Sequence, residues 1–187
     1  VLWPRSSTVD SQALDTVQLD LLAEIQTLWR KSGMKRSDGY IYAVDVGHLL
    51  IHAALTGDRV LYDTVKGAAL ESLVIDRKDD PYTRGFVVWR VRPGRPVDAS
   101  GTTEALRIAK GLWNGARRFN LDADRALALQ IVDGYRRHAY IDQGTWLVRN
   151  YFNFQTRSFA NDSYLVDYDP DLIEDMAKAT GDAELKE

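Results

Sequence analysis

The chain has 187 residues, no cysteine, a formal charge of −3 and 45% hydrophobic residues. A chain of this length can bury one hydrophobic core, while the missing cysteines exclude disulfides and thiolate metal sites. The acidic balance argues against a general nucleic-acid binder, and no run of about twenty apolar residues predicts a membrane span.

In chain order, residues 15–31 set Leu14, Val17, Leu21, Leu22, Ile25, Leu28 and Trp29 at helical spacing, which predicts a first helix. After a connector at 32–38, residues 40–55 carry Ile41, Val44, Leu49, Leu50, Ile51 and Ala54, dense enough in apolar groups for an inner helix buried on most sides. Residues 59–74 are more amphipathic, with Val60, Leu61, Val65, Ala68, Ala69 and Leu73 on one stripe, and read as an outer helix. Between 75 and 98, the Asp79-Asp80-Pro81 turn and the β-prone residues 85–91 predict a long loop holding a short strand or hairpin. Helices resume at 103–118 and 122–139, the latter capped by Asp122. Residues 143–169, rich in aromatics and amides, read as a second long loop, and loops of this length in a compact helical domain are usually functional. A last helix, 170–179, starts with Asp169 as cap and Pro170 in its first turn.

Thr-Gly-Asp occurs twice, at Thr56-Gly57-Asp58 and Thr180-Gly181-Asp182. The glycine suits a left-handed helix end and the aspartate suits the cap of a following helix. By the same signal a further helix starts at Asp182, yet Ala183 to Glu187 are too few for a stable one. The expected fold class is therefore all-α: helical hairpins forming part of an (α/α)6 toroid, with a short β segment in a long loop. Residues 1–187 form a single domain, the N-terminal part of a toroid completed by missing sequence or by a second chain or fragment. The start at Val1, without an initiator methionine, predicts a processed or engineered product.

The succession Ser37-Asp38-Gly39-Tyr40-Ile41-Tyr42-Ala43-Val44, Ala54-Leu55-Thr56-Gly57-Asp58, Trp89-Arg90, Leu106-Arg107-Ile108-Ala109, Asn161-Asp162-Ser163-Tyr164 and Ala179-Thr180-Gly181-Asp182 resembles glycoside hydrolase family 8 in order and approximate spacing. The resemblance implies six helical hairpins in a ring and inverting hydrolysis of β-linked polysaccharides such as cellulose, xylan or chitosan. It also implies a general acid at the Ser-Glu-Gly motif, whose glutamate aligns with Asp38. Aspartate is shorter by one carbon-carbon bond, about 1.5 Å. The family's catalytic-centre aspartate aligns with Thr103, and Glu104 and Asp98 are the nearest carboxylates. Inverting cleavage needs a protonated carboxyl and a water-activating carboxylate about 6.5–9.5 Å apart. Asp38, Glu104 and Asp98 are the candidates. As ordinary helix-start residues, Asp38 and Glu104 would instead serve only the backbone dipoles.

Tyr40, Tyr42, Trp89, Trp146, Tyr151, Phe152 and Tyr164 are candidate platforms for sugar rings, with Trp89, Arg90, Thr103 and Tyr164 inside segments that resemble the family's motifs. Arg84, Arg90, Arg92 and Arg95 in one loop, and Arg149 and Arg157 in the other, suit an acidic polysaccharide, because guanidinium pairs bidentately with carboxylate. An acidic substrate also admits a lyase, with Tyr40, Tyr42 or His138 removing the proton. Asp45, His48 and His52 share one helix face, but the His-Glu-x-x-His signature is missing, so neither metal nor cofactor is expected. The functional expectation is a secreted or periplasmic glycoside hydrolase acting on a β-linked polysaccharide or oligosaccharide, neutral or acidic. The alternatives are a polysaccharide lyase and a non-catalytic carbohydrate-binding or assembly protein.

Overall fold

The computed structural model describes residues 11–182 and residue 185, without the side chains of residues 11–19, 21, 22, 68 and 69. The expectations for Val1 and for residues 183, 184, 186 and 187, and the apolar stripe positions Leu14, Val17, Leu21, Leu22, Ala68 and Ala69, lie outside the described residues or side chains.

Six α-helices account for most of the described chain: α1 (Ser11–Ser32), α2 (Ala43–Thr56), α3 (Arg59–Leu73), α4 (Thr102–Phe119), α5 (Asp122–Arg136) and α6 (Pro170–Thr180). The expected punctuation is present. Gly57 ends α2 at φ 75°, where its N–H reaches Ala54 O at 3.3 Å and the Asp58 N–H reaches Ala53 O at 2.9 Å. This is the Schellman pairing that a left-handed glycine allows. Asp58 then caps α3 by accepting the Leu61 N–H at 2.9 Å, and Gly181, at φ 73°, ends α6 in the same left-handed conformation. Asp169 caps α6 through the Leu172 N–H at 3.2 Å, with Pro170 following.

The core lies between α2 and α4. Leu49, Leu50, Ala53, Ile108, Ala109 and Leu112 are fully buried there. A Cβ placed on Gly47 would lie 2.6 Å from Arg107 Cβ, and one on Gly111 would lie 2.6 Å from Leu50 Cβ. Positions 47 and 50 of α2 therefore face 107 and 111 of α4, so the two helices run in the same direction with backbones close enough to need glycine at both crossings. The short connections Gly57-Asp58 and Asn120-Leu121 return the chain in α3 and α5. Alternating inner and outer helices follow, and the N-termini of both inner helices open at the same end.

The structure departs from the sequence reading in the loops. The second helix starts at Ala43 and not at Tyr40, because Ile41–Tyr42 (β1) pairs antiparallel with Arg90–Val91 (β2), Tyr42 opposite Arg90. The fifth helix stops at Arg136, three residues early, because Ala139–Asp142 (β3) leaves it to form a hairpin with Thr145–Val148 (β4). Asp122 is the first residue of α5, with Leu121 at the cap position. The second long loop is more regular than expected. It holds β4, the short pair Phe152–Asn153 (β5) and Ser158–Phe159 (β6), and a 3-10 turn at Leu165–Asp167. Among the described residues, no helix is long and apolar enough to cross a membrane.

Candidate active site

The common N-terminal end of α2 and α4 is walled by loops stitched through the backbone. Ala43 at the start of α2 donates to Trp89 O at 2.9 Å, Gly101 N reaches Val87 O at 2.9 Å, and Thr102 N reaches Asn150 O at 3.0 Å. These contacts satisfy helix-start N–H groups that would otherwise lack partners, and they carry Trp89 and Asn150 to the same place.

Asp38 is exposed beside this wall. Its carboxylate accepts the Tyr40 N–H at 2.9 Å and the Tyr42 hydroxyl at 2.7 Å. Those two donors, the backbone one first, hold its pKa below the ordinary carboxylate value, with help from Arg36 and Arg90. Tyr42 meets Trp89 edge-on with centroids 5.8 Å apart and lies under the Arg36 guanidinium at 4.3 Å. Arg36 is itself fixed by a two-pronged grip on buried Asp45, both contacts 2.7 Å. The Arg90 guanidinium packs over both Tyr40, at 4.2 Å, and Trp89, at 4.0 Å.

Asp98 accepts Trp89 Nε1 at 2.7 Å, its neighbour Ala99 N at 2.9 Å and Arg90 Nη2 at 3.2 Å. Burial pushes its pKa up, yet these donors together leave it below the ordinary value. Glu104, half-buried in the first turn of α4, behaves in the opposite way. Burial is the largest influence and raises its pKa. Its own N–H works against this, and neighbouring Asp167 adds to the rise. The Glu104 carboxyl folds over Gly101: a Cβ there would lie 1.9 Å from Glu104 Oε2 and 3.2 Å from Trp89 Cβ. Asp38, Tyr40, Tyr42, Trp89, Arg90, Asp98 and Glu104 thus form one continuous patch.

Thr103 and Tyr164 join the patch from the other side of α4 through Asp167. The Thr102 and Thr103 hydroxyls each donate to Asp167 Oδ1 at 2.9 Å, and Tyr164 N donates to Oδ2 at 2.8 Å. Asp167 is fully buried, and Tyr164 is exposed. Sequence reasoning missed both Asp167 and Arg36. No local signal marks Asp167, which lies 64 residues from Thr103 and is placed only by folding.

Other candidates lie elsewhere. Phe152 is buried among Phe86, Phe159 and Tyr82, so it is a core residue and not a platform. Trp146 lines a groove of about 620 Å³ between the β3–β4 hairpin and α6, together with Tyr135, Val148, Tyr168 and Ile173, none of them in the Asp38 patch. Tyr151 is partly exposed. His138 is sealed between Phe86 and Phe159, with Ser100 Oγ and Gly134 O each at 3.2 Å, which leaves it no access to a substrate proton. The arginines do not converge over one cleft. Arg84 pairs with Asp76 and Arg157 with Asp80, while Arg149 packs on Tyr140 and Phe159. Arg90 and Arg92 of the first loop, with centres 4.2 Å and 5.6 Å from the Tyr40 ring, accompany the patch. On the Asp45-His48-His52 face, Asp45 is taken by Arg36 and His52 contacts Gln26 at 2.9 Å. Among the described residues no cluster could hold a metal ion.

No protein-family model and no curated protein matches the chain. Solved structures do. An endoglucanase from Komagataeibacter sucrofermentans superposes with a TM-score of 0.70 at 16% identity, over 88% of this chain and 54% of its own. A GH8 endo-beta-1,4-glucanase from an Achatina fulica gut metagenomic library gives 0.69 at 14% identity, over 98% and 56%. An alpha-amylase from Clostridium perfringens gives 0.64 at 17% identity, over 79% and 40%. The chain spans about half the length of these neighbours. At such identities the likeness speaks for the fold, which is a distant glycoside hydrolase family 8-like fold corresponding to part of an (α/α)6 toroid.

Proposed function

We propose that this chain is the N-terminal part of a secreted or periplasmic toroidal glycoside hydrolase that cleaves a β-linked polysaccharide with a pair of carboxyl groups. The observation that supports this reading most is the patch at the shared end of α2 and α4. There, carboxyl groups pushed in opposite directions lie at the edges of the Tyr42–Trp89 pair, Asp38 (down) on the Tyr42 hydroxyl and Glu104 (up) over Gly101, which borders Trp89. Environments that separate two carboxyl groups in this way allow one to stay protonated and the other ionised at the same pH, and glycoside cleavage uses such a pair.

A finer reading, an acidic glycan, is favoured by one observation. The Arg90 and Arg92 guanidiniums both lie beside the Tyr40 ring, with centres 4.2 Å and 5.6 Å from it, and would pair with a sugar carboxylate bound there. The decisive assay incubates the complete toroid that contains this chain with cello-, xylo- and chitosan hexamers and with a polyuronate. New reducing ends are expected. Absorbance from an unsaturated product would indicate a lyase, and saturable binding without cleavage would indicate a carbohydrate-binding protein. Unchanged oligosaccharides would refute the hydrolase.

A further inference from the structure

The β3–β4 hairpin is a built arm with only one face fastened down. A two-residue turn joins its strands, with Gln143 at φ 49° and Gly144 at φ 81°, the left-handed pair whose twist matches that of a tight hairpin. The register sets Tyr140 opposite Leu147, Ile141 opposite Trp146 and Ala139 opposite Val148. Side chains alternate between the two faces of a strand, so Tyr140 and Leu147 share one face and the other two pairs share the second. The first face is held by Arg149, whose guanidinium lies 4.2 Å from the Tyr140 ring and 5.4 Å from the Phe159 ring. The second face carries the exposed pair, Ile141 at 60% and Trp146 at 55%.

Ala139, Trp146 and Val148 of that second face line the groove of about 620 Å³, and Tyr168, Pro170 and Ile173 form its opposite wall. The other side of α6 is already packed on α4: Asp169 holds Arg107 and Lys110 at 2.9 Å, and Asp175 accepts Trp113 Nε1 at 2.8 Å. The polar groups along the groove are engaged within the fold. The Tyr135 hydroxyl donates to Asp167 O at 2.8 Å, and the Tyr168 hydroxyl meets Val148 N and Ser163 Oγ at 3.0 Å each. A sugar, whose hydroxyls need convergent polar partners, is poorly served here. The apolar stripe of an amphipathic helix needs only the apolar walls.

Leu185 indicates which helix. It lines the same groove from beyond Gly181, just as α3 follows Gly57 and returns along α2, and α5 returns along α4. Among the described residues, α6 is the third inner helix and has no outer helix against its Ile173 side. Resting on the reading of this chain as part of a toroid, we propose that the groove is the seat of the amphipathic outer helix that starts at Asp182, and that Trp146, on its preformed arm, closes over that helix. The Tyr168 hydroxyl joins the arm to Ser163, next to Tyr164. Seating the helix therefore ties the second half of the ring to the rim of the candidate active site.

Two measurements on the complete toroid that contains this chain test the seat, and neither needs turnover. Hydroxyl-radical oxidation of the unmodified protein compares Trp146 with Trp113, which is fully buried. Trp146 should lose its reactivity down to the level of Trp113 and regain it in urea. Oxidation of Trp146 in the native toroid as fast as in urea overturns the seat. With Trp146 replaced by p-benzoylphenylalanine, irradiation should form an adduct within one chain, mapped by mass spectrometry to apolar residues at helical spacing after Asp182. An adduct between two copies overturns the proposal in favour of a self-associating face, and an adduct elsewhere or none at all overturns it outright. A toroid that passes both measurements but leaves every hexamer whole refutes the hydrolase reading alone. One that cleaves a hexamer but fails them refutes the seat alone.

Discussion

Replacing Gly47 by alanine tests one of the two close approaches between α2 and α4. The added Cβ would lie 2.6 Å from Arg107 Cβ, 2.9 Å from Arg107 C and 3.1 Å from Ile108 N, two of them backbone atoms of α4 that cannot rotate away. Reaching an ordinary carbon-carbon contact of about 3.8 Å requires α2 and α4 to part by about 1 Å. Overpacking of this kind costs about 1–3 kcal/mol, and alanine returns about 1 kcal/mol in helix propensity. The expected net loss is up to about 2 kcal/mol, which at this chain length lowers Tm by up to about 8 °C. Gly67 is the control. It lies in α3 with nothing within 4 Å of a Cβ, so Gly67→Ala should raise stability by about 0.5–1 kcal/mol. Thermal melts followed by circular dichroism, with matching urea titrations, read both variants. A Gly47→Ala protein stabilised as much as Gly67→Ala would refute the close parallel packing of the inner helices.

Burial lowers the His138 pKa from 6.5 to about 4. A depressed histidine means that the unfolded chain binds the extra proton, so its contribution is fully present above 6.5 and is lost as pH falls toward 4, by about 3 kcal/mol in all. Urea midpoints across that range should drop in the wild type and stay flatter in His138→Phe. Glu104 has the opposite sign. Its raised pKa favours the native state at low pH, and that contribution disappears as pH rises through the folded value. Glu104→Gln should therefore melt higher than wild type at pH 7, with the difference vanishing below about 4.5. Asp169→Ala should cost about 3–5 kcal/mol, measured by urea unfolding, because it strands Arg107 and Lys110 and removes the α6 cap.

The helices were legible because their evidence is local. Gly57, Asp58, Asp169, Pro170 and Gly181 act within one turn of where they stand, and the apolar runs of α2 and α4 repeat at the helical period. The strand pairs were not legible, since β1 and β2 are two residues each and no periodicity can be read from two residues. That short pairing moved Tyr42 out of the predicted helix and put its hydroxyl on Asp38. Asp38, Trp89, Asp98 and Glu104 were named from motif likeness and carboxylate chemistry, and their shared patch follows from the parallel run of the inner helices. Asp167 escaped notice because its partners, Thr102, Thr103, Tyr135 and Tyr164, are scattered along the chain and meet only after α4, α5 and the last loop have packed. Arg84, Arg149 and Arg157 were misread for the same reason, since proximity in sequence says nothing about which acid or ring each one reaches.

The Asp167 clasp has a consequence for how a ligand is received. Its carboxylate ties Thr102 and Thr103 to the backbone of Tyr164, and its carbonyl takes the Tyr135 hydroxyl at 2.8 Å. The segment bearing Tyr164 therefore cannot swing like a flap without unmaking the start of α4 and leaving a buried charge unpaired. Amide exchange at Tyr164 should slow and quicken together with that of the first turn of α4. The rim on this side is rigid before any guest arrives, and little ordering entropy remains to be lost when one does.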